Sequence, residues 1–76
     1  MITGCHQKGT LIYVYTSDRG NVPRTYNGWL VGWNGNTFSY ITQKGSRLVN
    51  VRDENMKDVS HYNAPDRITK GDGWSM

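Results

Sequence analysis

With 76 residues, nine lysines and arginines against six acids and a net charge of +3, the chain is read as one small domain. Its lone Cys5 excludes an internal disulfide, and with only His6 and His61 beside it a four-ligand zinc site of Cys and His is excluded too. No apolar run approaches the roughly 20 residues of a membrane-spanning helix.

A domain this short buries a thin core, and natural domains below about 80 residues usually add a disulfide, a metal or a subunit contact. With the first two excluded, a homo-oligomer is expected. The unpaired thiol points to a reducing, cytoplasmic setting, and no membrane partner is expected.

In chain order, residues 1–8 are polar and read as a flexible segment. Thr10 to Thr16 alternates, with Ile12 and Val14 on one face and Leu11, Tyr13 and Tyr15 on the other, as a strand does. Ser17 to Asn21 is a turn cluster. Val22 to Tyr26 follows as a short segment, which Pro23 confines to an edge or a bulge. Gly28 to Trp33 and Thr37 to Thr42 read as a hairpin around Asn34-Gly35. Arg47 to Arg52 and Lys57 to Tyr62 supply two more strands. Residues 9–62 therefore form one all-β domain, and 63–76 a polar, mobile tail in which Trp74 stands alone.

The hairpin register decides where its aromatics lie, because a one-residue slip moves a whole face. A two-residue Asn34-Gly35 turn of type I′ pairs Val31 with Phe38 and Trp29 with Tyr40, gathering Trp29, Trp33, Phe38 and Tyr40 on one face. A three-residue loop pairs Trp29 with Ile41 and sends Phe38 and Tyr40 across to join Leu30. Turn chemistry favours the first. Core or subunit interface is the leading use for such a face, with base stacking second.

Leu11 to Val22 aligns without gaps on Leu48 to Val59, as two strand–turn–strand units or as chance similarity between amphipathic hairpins. On either reading Ile12, Val14, Val49 and Val51 share the core, joined by Val22 and Val59.

Five or six short antiparallel strands avoid open edges by curling into a barrel. Gly28-Trp29-Leu30-Val31-Gly32-Trp33 is similar to the second strand of Sm-like domains, and Val51-Arg52-Asp53-Glu54-Asn55 to their segment holding Arg and Asn near the last turn. The chain thus resembles SH3-like and Sm-like small barrels over about half its length, although the Sm N-terminal helix has no counterpart. Its turn-rich style is also similar to that of small phage-encoded viral proteins.

Between Arg19 and Arg52 stand five bases and no acid; from Asp53 onward there are five acids and three bases. A basic, aromatic-rich centre suits nucleic acid or a nucleotide, since cations neutralise phosphate and rings stack on bases. Arg24, Trp29, Trp33, Tyr40, Lys44, Arg47 and Arg52 are the candidate ligand-binding residues. Tyr13, Tyr15 and Trp74 are candidates for a protein partner, as in a phage-type inhibitor of a host defence enzyme. A purely structural oligomer is the third reading. No catalytic residue, metal ligand or cofactor is expected: Cys5 and His6 lie on the segment read as flexible, and no phosphate-binding glycine loop is present.

Overall fold

The computed structural model describes residues 1–75; residue 76, the end of the expected tail, lies outside them. The protein is all-β. Strands β1 (Ile2–Lys8), β2 (Leu11–Thr16) and β3 (Arg24–Asn27) form one antiparallel sheet in that order. β4 (Trp29–Trp33), β5 (Thr37–Ile41), β6 (Leu48–Asp53) and β7 (Asp58–Asn63) form a second, and β8 (Lys70–Gly71) pairs with β9 (Trp74–Ser75).

The chain passes from one sheet to the other at Gly28, between β3 and β4. Its φ of +149° is open to glycine, and a Cβ there would stand 2.9 Å from the Ile41 carbonyl oxygen. The corner is braced from β1: Gln7 Nε2 donates to the carbonyls of Gly28 (2.8 Å) and Gly9 (2.9 Å), and its Oε1 accepts the Leu30 N–H at 2.7 Å.

Residues 1–8, expected to be flexible, thus contribute a seven-residue strand. Its polar look is misleading because Ile2 is buried and Cys5 is half-buried against the core, while His6 and Lys8 are exposed. Ile2 N–H also donates to the Gly35 carbonyl at 2.8 Å, which ties the strand to the β4–β5 turn.

Two apolar clusters lie on opposite faces of the four-stranded sheet. Between the sheets, Ile2, Ile12, Val14, Leu30, Phe38 and Tyr40 pack together with Cys5, Tyr26 and Met56 at the margin. On the outer face, Ile41, Val49 and Ala64 pack with Trp29, Val31, Ile68 and Trp74. Burying a Leu, Ile, Val or Phe side chain contributes about 1.5–3 kcal/mol, so neither cluster is dispensable in a chain this short.

The aligned units divide between these clusters: Ile12 belongs to the first and Val49 to the second. Val51 is half-buried, and Val22 and Val59 are 58% and 54% exposed, so the expected shared valine core does not form.

The hairpin turn corrects the favoured register. Asn34 N–H donates to the Thr37 carbonyl, while Asn34 Oδ1 accepts the backbone N–H groups of Asn36 (2.8 Å) and Thr37 (2.9 Å). The two loop residues are therefore Gly35 and Asn36, and neither has positive φ. Trp33 pairs with Phe38, a bulge at Val31 drops one residue, and Trp29 then pairs with Ile41 and Leu30 with Tyr40. The bulge takes Trp29 away from the face of Tyr40.

Pro65 onward is not a free tail over the described residues. Ile68 exchanges backbone hydrogen bonds with Gly45 (2.9 Å) and Ser46 (3.1 Å), and Trp74 Nε1–H donates to the Leu30 carbonyl. The tail folds back because Ile68 and Trp74 cover the outer apolar cluster.

Candidate functional site

The sequence-derived cations and rings separate into a set by the β5–β6 loop, on the outer side of the four-stranded sheet, and a set around Tyr40 in the core. Trp29 and Trp33 are four residues apart on β4, about 13 Å at roughly 3.3 Å per residue. The first group gathers around Trp29. The β5–β6 loop places Lys44 Nζ 5.9 Å from the Trp29 ring centroid. In the same loop Arg47 Nε donates to the Ala64 carbonyl at 3.0 Å, and Ala64 N–H returns a bond to the Arg47 carbonyl at 2.7 Å.

The backbone of Arg67, in the stretch expected to be a polar tail, runs beside this loop because the adjacent Ile68 pairs with the loop backbone at Gly45 and Ser46. One isolated isoleucine in a polar stretch was its signal. Lys44, Arg47 and Arg67 are all exposed, and Trp29 is half-buried.

The second group is largely internal. Tyr40 is 2% exposed, a core residue with no ring face available for stacking. Arg52 Nε donates to Tyr40 Oη at 2.9 Å, and Tyr40 Oη lies 3.2 Å from Tyr26 Oη. The guanidinium carbon sits 4.6 Å from the Tyr26 ring centroid, and Nη2 pairs with Asp58 at 3.2 Å. Burial, with the Tyr26 contact, raises the Tyr40 pKa, although the Arg52 bond pulls it down. Accepting the bond from Arg52 chiefly accounts for the raised Arg52 pKa. Arg52 is thus occupied in holding β6 to the core. Arg24, on β3 opposite Val14, has a buried Nε with no hydrogen-bond partner among the described residues. Trp33 is 40% exposed at the far end of β4.

A third array stands on the open face of the three-stranded sheet. His6 stacks on Tyr13 at 5.1 Å and 30°, and on Tyr15 at 5.8 Å and 25°. The two tyrosines are half-buried and His6 is exposed. His6 was hidden in the segment read as flexible; without β1 beside β2 it has no neighbour to stack on. Cys5 points the other way, into the core, so this adjacent pair cannot act as nucleophile and base. Burial, with the Asp72 charge adding to it, pushes the Cys5 thiol up to about 12. Trp74 likewise belongs to the outer cluster, with its N–H committed to Leu30.

The chain matches no protein-family model, no curated protein and no solved structure.

An open groove of about 500 Å³ also runs along β6 and β7, lined by Asn50, Asp58, Val59, Ser60 and His61. Among the described residues no three His, Cys, Asp or Glu side chains gather as a metal site, and no helix is long and apolar enough to cross a membrane.

Proposed function

We propose that the protein is a non-catalytic binder of single-stranded nucleic acid or a nucleotide, at the end formed by Trp29, Lys44, Arg47 and Arg67. The observation that carries this reading is the Lys44 ammonium above the Trp29 ring, in a β5–β6 loop that also holds the exposed Arg47 and contains no acid. A cation over a ring at an exposed site is worth about 0.5–1 kcal/mol. Stacking a base on an aromatic ring is worth about 1–3 kcal/mol, so a base displaces Lys44 from Trp29. The freed ammonium then meets the phosphate that arrives with the base. Arg47 and Arg67 extend the phosphate track. A barrel of SH3-like or Sm-like kind is the fold counterpart of this reading, supported by two antiparallel sheets joined through the bend at Gly28.

The test is binding of a fluorescent oligothymidylate across a salt series. Each phosphate contact on a single strand contributes about −0.7 to the log–log slope, so Lys44→Gln with Arg47→Gln flattens the slope by about 1.4. Trp29 emission is quenched on binding. Absence of binding to oligonucleotides and nucleotides at low salt, or an unchanged slope in the double variant, refutes the proposal.

A second reading, a protein-binding module such as a phage-type inhibitor in the cytoplasm of its host, has its own support in the His6–Tyr13–Tyr15 array. Tyrosine is enriched at protein interfaces, and an antiparallel sheet normally turns a polar face to water. A partner held here is lost with Tyr13→Ser and Tyr15→Ser and indifferent to Lys44→Gln. The opposite pattern removes this reading.

A further inference from the structure

The register of the three-stranded sheet sets Tyr13 between His6 of β1 and Thr25 of β3, and Tyr15 opposite Gly4. Residues directly opposite in an antiparallel pair share a face, so these five stand together on the side turned away from the buried Ile12 and Val14. Both tyrosine rings lie within 30° of the His6 plane, with centroids 5.1 and 5.8 Å from that of His6. The three rings form a short stack.

Small neighbours leave this stack unfinished. Thr25 stands beside Tyr13, and opposite Tyr15 there is no side chain at all. A Cβ on Gly4 would meet no atom within 4 Å, so the space beside the Tyr15 ring is open. Gly4 does not have a positive φ; what glycine contributes here is room.

The strands of this sheet carry Lys8 and Arg24 and no Asp or Glu, so their charge suits an anionic occupant. Size narrows the choice further. Six residues of β2 at about 3.3 Å each, across three strands about 4.8 Å apart, make a face on the order of 200 Å². A standard protein partner covers about 800 Å², whereas a short run of nucleotides fits.

We propose that this face is a second stacking platform for single-stranded nucleic acid, with one base entering the space over Gly4 against the Tyr15 and His6 rings. On the nucleic-acid reading, on which this rests, the strand has a defined course. Asn27 on the open face of β3 and Trp29 flank the corner at Gly28 and are at most about 7 Å apart along the chain. A strand stacked on Trp29 turns that corner onto the tyrosines. Lys8, on the same face as His6, meets its phosphates.

The test is titration with oligothymidylate, followed by tryptophan emission and by amide NMR spectra. In the wild-type chain the Gly4, Tyr13 and Tyr15 amide signals are expected to shift together with those of Trp29 and Lys44. Gly4→Val fills the open space without straining the backbone, and is expected to keep the circular dichroism spectrum while weakening the oligomer by about 5- to 150-fold, the worth of one stacked base. Tyr15→Leu removes the ring and weakens binding by a similar factor, and Tyr15→Phe restores it. The salt-slope change caused by Lys44→Gln with Arg47→Gln is the same in each of these backgrounds. Wild-type affinity in Gly4→Val and Tyr15→Leu, or unmoved Gly4 and Tyr15 signals, with Trp29 emission still quenched, overturns this platform and leaves the Trp29 site standing. Absence of any oligonucleotide binding by the wild-type chain removes both. A protein partner that is lost in Gly4→Val and Tyr15→Leu while oligothymidylate affinity is unchanged gives the face to that partner and overturns the proposal.

Discussion

Arg52 Nε donates to Tyr40 Oη at 2.9 Å, with the Tyr40 side chain buried and the guanidinium lying over Tyr26. A charge and a hydroxyl at the margin of a thin core are thereby satisfied together. Tyr40→Phe keeps the ring and removes the acceptor. A hydrogen bond to a charged group is worth about 1.5–3 kcal/mol, and since Arg52 still pairs with Asp58 and donates through Nη1 to the Met56 carbonyl, a loss of about 1–2 kcal/mol is expected. At about 4–8 °C per kcal/mol for a domain of this size, the melting temperature falls by roughly 5–15 °C, with oligonucleotide affinity unchanged. Loss of affinity without loss of stability would return Tyr40 to the ligand site.

The same phenol predicts an alkaline limit. Its pKa in the folded state is raised by burial, so its contribution is complete below the ordinary tyrosine value of about 10 and is lost as pH rises through the folded value. Asp53 has the opposite sign. The Lys57 N–H, and then that of Asn55, donate to its carboxylate and lower its pKa. Its contribution is present above the unfolded carboxylate pKa and is lost as pH falls through the folded one. Urea midpoints against pH should decline at both ends, with Tyr40→Phe flattening the alkaline limb and Asp53→Asn the acid limb.

Gln7 carries three hydrogen bonds from one amide. Gln7→Ala leaves the Leu30 N–H and the Gly28 carbonyl without their partner, and an unsatisfied buried group costs about 1–3 kcal/mol. Gln7→Glu retains the acceptor for Leu30 but turns a carboxylate towards two carbonyls, so it does not rescue. Chemical denaturation of the three proteins checks this; rescue by glutamate would mean that Leu30 alone is the functional contact.

Trp74 covers the outer cluster and bonds Leu30. Tryptophan truncation in a full core costs about 3–5 kcal/mol; for this half-buried ring Trp74→Ala is expected to cost about 2 kcal/mol and to speed amide exchange at Ile41 and Val49. Unchanged exchange there would show that the tail does not cover the sheet in solution.

Strand positions were legible where alternation is strong. Thr10 to Thr16, Thr37 to Thr42 and Arg47 to Arg52 each coincide with a strand to within a residue or so at either end. Pro23 likewise marked an edge, since it cannot donate to a ladder. β1 was not legible, because Gly4, Cys5, His6 and Gln7 carry little apolar contrast, and their pairing with β2 is made by backbone groups common to every residue.

Of the candidate residues legible from composition, the fold sets Lys44 over Trp29 and turns Arg47 onto the Ala64 carbonyl. Tyr40 and Arg52 were named with them and went to the core. Charge and aromaticity state what a side chain can do, while its position depends on register. The register turned on a bulge at Val31 and on the Asn34 side chain taking the turn's N–H groups.

What the residues determined alone was an all-β chain with a basic middle and too few thiols and imidazoles for a disulfide or zinc staple. Period-two alternation, turn residues and charge count are local properties, readable without contacts. Which ring is core and which cation is free were decided by the tertiary structure. Each depends on a partner distant in the chain: Gln7 for Leu30, Ile68 for the β5–β6 loop, Trp74 for the outer cluster.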